Sequence, residues 1–211
     1  MNDIIDQIGR LRVLPVVVIK DVAHARPLAQ ALRTGGLAGA EVTLRTSEGL
    51  SALRIMAQEP HFLLGAGTVT RESQVSEALA AGARFVVTPG FSLAVVRECQ
   101  ILQVPVIPGV ATATEIQMAV DAGLTTVKFF PAVVAGGVPA IKALSAPYTQ
   151  IRFVPTGGIG PVNVRQFLDL PQVLAVGGSW MVTGELIGEG DFAQISALTA
   201  EAVALCAGAS S

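Results

Sequence analysis

Short apolar runs alternate along this chain with longer segments in which apolar residues recur every three or four positions. The short runs are typical of buried strands, and the longer periodic segments are typical of amphipathic helices. Eight strands are predicted, at residues 12–19, 40–44, 62–66, 85–87, 104–107, 126–129, 152–155 and 173–176. Most of these runs are continuously apolar, as expected of parallel strands that are buried on both faces.

Helices are predicted between and after these strands, at residues 22–33, 48–58, 71–81, 93–102, 114–122, 138–144, 162–168 and 193–206. Several of these segments are followed by a glycine, for example Gly35, Gly82 and Gly123. Helix C-termini favour glycine because it adopts the left-handed backbone conformation without a steric penalty. The glycines therefore support the predicted helix ends.

The repeated strand–helix unit indicates the fold. Eight units in 211 residues predict an α/β protein, a single-domain (β/α)8 TIM barrel that spans residues 1–211. An extra N-terminal helix is predicted over residues 2–11, where Ile4, Ile8 and Leu11 recur at helical spacing, and it would close the bottom of the barrel. A doubly wound open sheet is the alternative, but no GxGxxG motif opens a helix after the first strand.

Composition and charge exclude several classes of function. A net charge of −2 provides no basic surface for nucleic acid. The apolar run at residues 13–19 is too short for a signal peptide or a membrane span, and it contains Pro15. Cys99 and Cys206 lie far apart in predicted helices, which indicates reduced, inert core thiols in a cytoplasmic protein. Neither a metal nor a cofactor is expected, because no residues have metal-ligand spacing.

Lys128 is the most informative residue, because it is the only lysine inside an apolar strand. An ammonium group between Val127, Phe129 and Phe130 loses hydration on folding, and this loss favours the neutral amine. Desolvated lysine amines form Schiff bases with carbonyl substrates, so the residue indicates covalent catalysis on a keto compound. The alternatives are a side chain that reaches solvent from the strand end and one that pairs with a core carboxylate.

The second predicted strand carries a polar face. Period-two alternation puts Glu41, Thr43 and Arg45 on one side of the strand, and we expect that side to face the barrel interior. Arg45 would then bind a substrate carboxylate while Glu41 moves protons. The alternative is a structural ion pair between Glu41 and Arg45.

Glycine-rich turns are predicted after three strands, at residues 65–68, 155–159 and 176–180. The turns after the seventh and eighth strands lie where TIM barrels commonly bind phosphate, and glycines let backbone amides approach the anion. Ser179 offers a hydroxyl to a phosphate oxygen, and Thr156 offers one to the substrate hydroxyls. The alternative is that the glycines only form tight turns.

Seven ordered motifs resemble those of the 2-keto-3-deoxy-6-phosphogluconate (KDPG) aldolase family, which also includes 4-hydroxy-2-oxoglutarate (KHG) aldolase activity. The motifs begin at residues 41, 65, 88, 107, 128, 155 and 176, and they read EVTLRT, GAGT, TPG, IPG, KFFPA, PTGGI and VGGSW. The resemblance extends from about Leu14 to Trp180. One departure is the stretch AVVAG at residues 132–136, which is more apolar than the family pattern leads us to expect.

The resemblance implies a class I aldolase, a homotrimer without a metal, that reversibly cleaves KDPG to pyruvate and glyceraldehyde 3-phosphate. The substrates would be a keto-acid and a phosphorylated aldehyde. By motif, Lys128 matches the Schiff-base lysine and Glu41 matches the acid/base. The matched substrate contacts are Arg45, Thr68, Pro89, Phe130 and Thr156, and the matched phosphate contacts are Gly157, Gly158, Gly178 and Ser179.

Two alternative functions stay open on the residues. One is another phosphate-binding TIM-barrel enzyme, an isomerase or a phosphosugar synthase, that uses the glycine loops without forming an imine. The other is a non-catalytic oligomeric barrel that serves as a scaffold or a ligand sensor. Both would leave Lys128 without covalent chemistry.

Overall fold

Strands and helices alternate through residues 2–207, the part of the chain that the computed structural model describes. The strands are β1 (Val13–Val17), β2 (Gly39–Thr43), β3 (Leu63–Gly67), β4 (Phe85–Val87), β5 (Val106–Ile107), β6 (Gly109–Val110), β7 (Thr126–Phe129), β8 (Arg152–Pro155) and β9 (Val176–Gly178). The helices are α1 (Asn2–Leu11), α2 (Ala25–Thr34), α3 (Gly49–Met56), α4 (Ser73–Ala80), α5 (Leu93–Ile101), α6 (Ala113–Asp121), α7 (Gly137–Ser145), α8 (Val164–Leu168), α9 (Gly184–Glu189) and α10 (Phe192–Ala207).

The strands form two parallel sheets. One has six strands in the order β5-β4-β3-β2-β1-β9, and the other has three in the order β6-β7-β8. Isolated parallel bridges join Phe153 to Val173 and Thr156 to Gly177, so β8 lies beside the chain that leads into β9. The prediction of an α/β fold with parallel strands is therefore confirmed. Within residues 2–207, no helix is both long and apolar enough to cross a membrane.

Adjacent residues on a strand pack into two different apolar clusters. The larger cluster lies between the strands and the helices and takes Val13, Val86 and Phe153. The smaller cluster takes their neighbours Leu14 and Phe85. We call the side of the strands that carries the smaller cluster the inner face. Burial on both faces explains why the strands are continuously apolar.

Helix α1 packs against the inner face. Its residues Ile4 and Ile8 belong to the smaller cluster together with Ala175, which precedes β9, and with residues from several strands, namely Leu14, Leu63, Phe85, Val87, Ile107 and Val154. Both isoleucines lie on one side of the helix because they are four residues apart. The helix thus covers apolar side chains that the strands alone leave exposed to water.

Two predicted strands differ from the observed ones. The fifth, expected over residues 104–107, is instead two short strands on either side of Pro108, a residue without an N–H group to donate to a neighbouring strand. The eighth was expected over 173–176, but β9 starts at Val176 and continues through Gly177 and Gly178. Glycine is depleted in strands, so the pattern misplaced this strand toward the apolar residues.

Two helical segments differ from the predictions as well. Residues Val22–His24 form a 3-10 turn before α2, where one continuous helix was expected. Helix α9 was not predicted. It has only six residues, and the first five include two glycines, Gly184 and Gly188, and the charged Glu185. The side chain of Thr183 caps the N-terminus of α9 by accepting a hydrogen bond from the backbone N–H of Leu186 at 3.3 Å.

Candidate active site

A buried ion pair joins the two sheets. Lys128 lies on β7 and Glu41 on β2, and their side chains meet with Nζ at 3.1 Å from Oε1 and 3.4 Å from Oε2. Lys128 is 4% exposed and Glu41 is 2% exposed. Neighbouring residues Val42 and Val127 belong to the larger cluster, so both charged side chains point to the inner face. We call these two residues the amine–carboxylate pair.

Of the alternatives for Lys128, the structure shows the pair with a core carboxylate, and that carboxylate is Glu41. A buried pair of this kind keeps a charged amine in the protein interior, since neither charge is left without a partner. It also places a proton acceptor within hydrogen-bond distance of the amine. The arrangement is therefore compatible with a lysine that loses its proton to Glu41 and then acts as a nucleophile.

Glycine at position 67 makes room for the carboxylate. Gly67 ends β3 beside Thr43 of β2, and a Cβ atom built at Gly67 would overlap the carboxylate of Glu41. The predicted turn at residues 65–68 is therefore wrong for Gly65 and Gly67, which belong to a strand. Gly65 has a similar role, because a Cβ there would overlap the ring of Phe85. These glycines accommodate neighbouring side chains instead of turning the backbone.

Arg45 and Thr68 form a second contact just beyond the ends of β2 and β3. The Nε of Arg45 donates a hydrogen bond to Thr68 Oγ1 at 3.0 Å, and the arginine side chain is exposed. Glu41 and Arg45 were expected on the same face of the second strand, but β2 ends at Thr43, so Arg45 lies beyond the strand. Among residues 2–207, Glu41 forms its ion pair with Lys128, so the alternative of a structural Glu41–Arg45 pair is wrong.

A cavity of about 150 Å³ opens at the C-terminal ends of β8 and β9. Its lining brings together most of the predicted substrate and phosphate contacts: Arg45, Phe130, Thr156, Gly157, Gly158, Gly178 and Ser179, together with Val16, Ile159 and Gly177. We call it the glycine-lined cavity. Val16 of β1 and Ile159 in the loop after β8 were not predicted, because an apolar side chain carries no chemical signal.

The backbone at the glycine-lined cavity requires glycine. Gly157 has φ 104° and Gly158 has φ 77°, which are left-handed conformations that side chains disfavour. On the facing strand, a Cβ at Gly177 would overlap the hydroxyl of Thr156. The predicted turn at residues 176–180 is therefore wrong for Gly177 and Gly178, which lie within β9. Four glycines are among the ten residues that line the cavity, and glycines let peptide groups approach and bind an anion.

Phe130 connects the amine–carboxylate pair to the glycine-lined cavity. The Nζ of Lys128 lies 5.4 Å from the centroid of the Phe130 ring, and the same ring lines the cavity. This distance is within the range of a cation–π interaction. The peptide bond between Phe130 and Pro131 is cis. The pair and the cavity are therefore neighbouring parts of one site.

Two predicted contacts are absent from the lining of the glycine-lined cavity, namely Thr68, which bonds to Arg45, and Pro89. The carbonyl group of Pro89 packs directly against Gly109, where a Cβ atom would overlap it. Gly109 is the partner of Lys128 in the pairing of β6 with β7. Pro89 therefore lies one strand away from the lysine.

No metal site accompanies these residues in the described part of the chain, where no group of three or more histidine, cysteine or carboxylate side chains is gathered. The two thiols lie outside the site, in α5 and α10, and both are buried and free. Burial, and next the negative charge of Glu98, raise the pKa of Cys99 to about 12. Burial also raises the pKa of Cys206, although Arg12 and Arg165 oppose the shift.

The chain is similar to known proteins over nearly its full length. The family model for KDPG and KHG aldolase matches residues 4–198. The 2-dehydro-3-deoxy-phosphogluconate aldolase of Treponema pallidum (strain Nichols) is 50% identical over 200 residues, which cover 94% of this chain and 95% of that protein.

Solved structures agree with this similarity. The 2-keto-3-deoxy-6-phosphogluconate aldolase of Zymomonas mobilis ZM4, crystallised with 3-phosphoglycerate, superposes with a TM-score of 0.91, at 43% identity and 95% coverage of both chains. The KDPG aldolase of Legionella pneumophila, with pyruvate captured as a covalent carbinolamine intermediate, has a TM-score of 0.88 and 41% identity, covering 92% of this chain and 96% of that one. The chain belongs to the KDPG and KHG aldolase family.

Proposed function

We propose that the chain is a class I aldolase that reversibly cleaves KDPG to pyruvate and glyceraldehyde 3-phosphate and also acts on KHG. The observation that carries this proposal is the buried contact of 3.1 Å between Lys128 and Glu41, beside a cavity whose walls suit a phosphate. Membership of the family supports it, and so does the covalent pyruvate intermediate in the Legionella pneumophila relative.

The reaction starts with a proton transfer. Glu41 accepts a proton from Lys128 across their hydrogen bond and leaves a neutral amine in place of the ion pair. The amine attacks the C2 carbonyl of the substrate to form a carbinolamine. Glu41 then returns its proton to the carbinolamine hydroxyl, water leaves, and a positively charged iminium remains on Lys128.

The carbon–carbon bond breaks in the next step. The carboxylate of Glu41, directly or through a water molecule, removes the proton of the C4 hydroxyl, and the C3–C4 electron pair flows into the iminium. Glyceraldehyde 3-phosphate leaves, and an enamine of pyruvate stays on Lys128. Protonation of the enamine at C3, followed by hydrolysis of the iminium, releases pyruvate and regenerates the amine.

Two groups of residues hold the ends of the substrate. Arg45, whose orientation is set by its hydrogen bond to Thr68, binds the carboxylate end through its guanidinium group. The peptide groups of Gly157, Gly158 and Gly178, with the hydroxyl of Ser179, bind the phosphate. These four residues share one wall of the glycine-lined cavity at the ends of β8 and β9.

Three further residues shape the path between these ends. The ring of Phe130 lies beside Lys128 and excludes water from the amine. Thr156 lines the cavity between Phe130 and the glycines, and its hydroxyl, now donating to the carbonyl of Val154 at 3.3 Å, is available to substrate hydroxyls. Pro89 fixes the wall on the opposite side of Lys128, through its contact with Gly109.

We also propose that the chain forms one domain, a closed (β/α)8 barrel with α1 as the extra N-terminal helix across its bottom; of the predicted range 1–211, residues 1 and 208–211 lie outside the described part of the chain. The pairing of β9 with β1 and the bridges between β8 and residues 173 and 177 support closure on one side. On the other side, only Pro108 separates β5 of the six-stranded sheet from β6 of the three-stranded sheet, and this supports closure there as well. The packing of α1 on the inner face supports its role as the bottom cover.

The proposal extends to a homotrimer that acts in the cytoplasm. Several large apolar side chains are exposed on the single chain, including Val134 at 86%, Val162 at 91% and Ile101 at 73%, and contacts with other copies would cover such residues. The free, buried thiols support a reducing compartment. Sedimentation equilibrium should give about three times the 21.7 kDa of one chain, and a value near 21.7 kDa would contradict the trimer.

The decisive experiment is the capture of the imine. The protein is incubated with pyruvate and sodium borohydride, and intact mass and peptide mapping then locate the reduced adduct. We expect one adduct, on Lys128, and none on the exposed Lys142 of α7, which serves as the internal control. Folded protein without an adduct would favour the alternative of a phosphate-binding barrel that forms no imine.

A further inference from the structure

The two sheets carry different members of the amine–carboxylate pair. Glu41 belongs to the six-stranded sheet and Lys128 to the three-stranded sheet. On one side, isolated bridges join β8 to residues 173 and 177, and on the other side the sheets meet where β5 ends at Ile107 and β6 starts at Gly109, with Pro108 between them. We call the junction at Pro108 the seam. The distance between the amine and the carboxylate depends in part on what holds the sheets together at the seam, because β6 pairs directly with the strand that carries Lys128.

A threonine hydroxyl spans the seam. Thr88 follows β4 and is 1% exposed. Its Oγ1 donates a hydrogen bond to the carbonyl of Gly90 at 2.6 Å and accepts one from the backbone N–H of Gly109 at 3.2 Å. One side chain thus joins the turn after β4 to the first residue of β6.

The backbone on both sides of this hydroxyl is tightly packed. A Cβ atom at Gly109 would overlap the carbonyl of Pro89 and would lie 2.7 Å from the N atom of Gly90. On its other side, Gly109 pairs with Lys128, whose backbone N–H donates to the carbonyl of Pro108 at 2.8 Å. A displacement of Gly109 is therefore passed on directly to the strand that carries Lys128.

We propose that Thr88 is a positioning residue for the amine–carboxylate pair. Its hydroxyl fixes β6 against the turn after β4, which contains Pro89. Because β6 pairs with β7, it then fixes the position of Lys128 relative to Glu41. Thr88 acts through Gly109 and Pro89 and touches no reacting atom. This role rests on the proposed function, because it matters only if Lys128 and Glu41 carry the chemistry.

Valine in place of Thr88 keeps the branched shape and removes the hydroxyl. The N–H of Gly109 would then lose its acceptor in a buried place, and the local backbone would have to move to find another. Small displacements of reacting groups have large effects on rate, because the chemistry requires aligned atoms at contact distance. Serine keeps the hydroxyl and therefore both hydrogen bonds.

The test compares Thr88→Val with Thr88→Ser in steady-state cleavage of KDPG and in the rate of borohydride trapping with pyruvate. For Thr88→Val we expect kcat and the trapping rate to fall by roughly 10–100-fold, the range for slightly misplaced groups, while KM changes little. Thr88→Ser should restore both rates to near the wild-type values. If Thr88 had a purely structural role, Thr88→Val would lower the melting temperature, but kcat would not fall while KM stays nearly unchanged.

Two other buried threonines provide controls. Thr199 of α10 donates to the carbonyl of Ile195 at 2.7 Å, so Thr199→Val also removes a buried hydrogen bond, but outside the site. The hydroxyl of Thr126 has no hydrogen-bond partner in the described structure, so Thr126→Val removes none. Both variants should keep the wild-type kcat, and thermal melts would report the stability of every variant.

The result that would overturn the proposal is a Thr88→Val enzyme with the kcat and trapping rate of Thr88→Ser. An equal loss of kcat in Thr88→Val and Thr199→Val would also overturn it, because stability alone would then explain the loss. If Thr88→Val does not fold, Thr88→Ala replaces it with the same criteria. Wild-type protein that forms no pyruvate adduct would instead contradict the proposed function, so the two failures are distinguishable.

Discussion

The amine–carboxylate pair and the glycine-lined cavity are neighbouring regions built in opposite ways. The pair consists of two charged side chains that are almost fully buried and bonded to each other. Four of the ten residues that line the cavity are glycines, with backbone conformations at Gly157 and Gly158 that side chains disfavour. In the proposed mechanism, side chains supply proton transfer and nucleophilic attack, whereas peptide groups supply a rigid surface for an anion.

This difference predicts how the regions respond to substitution. A change in the pair should affect every substrate, because each substrate must form the same imine. A change in the glycine-lined cavity should affect substrates according to whether they carry a phosphate.

Lys128→Ala should lower the cleavage of both KDPG and KHG below detection, because it removes the nucleophile. The measurement is the rate of pyruvate release, with Lys142→Ala as the control that should keep full activity. Lys142 is a matched choice because it is a lysine in the last turn of α7 and is exposed. Wild-type cleavage by Lys128→Ala would refute the covalent mechanism.

Glu41→Gln should lower kcat by about 10²–10⁴-fold on both substrates, the usual contribution of a general acid/base. Glutamine keeps the shape beside Gly67 and a hydrogen bond to Lys128, but it cannot accept a proton. Borohydride should therefore still trap some pyruvate on Lys128. A loss confined to KDPG would break the comparison, because it would assign Glu41 to phosphate recognition.

Ser179→Ala should lower kcat/KM for KDPG by about 10–100-fold, the value of a hydrogen bond to a charged group, and leave KHG nearly unchanged. Gly178→Val should have the same selectivity with a larger effect, because its Cβ would overlap the ring of Trp180. The measurement is kcat/KM for both substrates. Equal losses on the two substrates would rule out the glycine-lined cavity as the phosphate site.

Glu115→Ala should have the smallest effect, on stability alone. The carboxylate accepts hydrogen bonds from Thr112 and from the backbone N–H of Ala111 at the start of α6. Desolvation by burial opposes these bonds by raising the pKa of Glu115, but together the bonds lower it. Loss of this cap should cost about 1 kcal/mol at neutral pH, measured by urea unfolding.

The stability that Glu115 contributes depends on pH, because the pKa of Glu115 is lowered in the folded protein. A carboxyl group whose pKa is lowered in the folded protein stabilises it fully above the unfolded pKa, and this contribution disappears as the pH falls through the folded pKa. The stability difference between wild type and Glu115→Ala should therefore shrink in acid. The ratio of KDPG to KHG cleavage should stay unchanged, and a change in that ratio would connect α6 to the site.

Residue patterns predicted much of the fold and the chemical groups of the site. The observed bounds of β4, β7 and β8 equal the predicted ones, although β7 contains Lys128 and β8 begins with Arg152. The family of the chain was also correctly indicated by the ordered motifs. The eighth strand was misplaced because its pairing residues include Gly177 and Gly178, which have little intrinsic preference for strands.

Sequence by itself determined the alternating parallel strands and helices, the chemical identity of Lys128 and Glu41, and the glycines near the ends of the last strands. These features are local, because each depends on residue type and short-range spacing. Only the tertiary structure decided that Glu41 pairs with Lys128 instead of Arg45, across 87 positions of the chain, and that Thr88 spans the seam. Such contacts depend on how distant strands align, which no local pattern encodes.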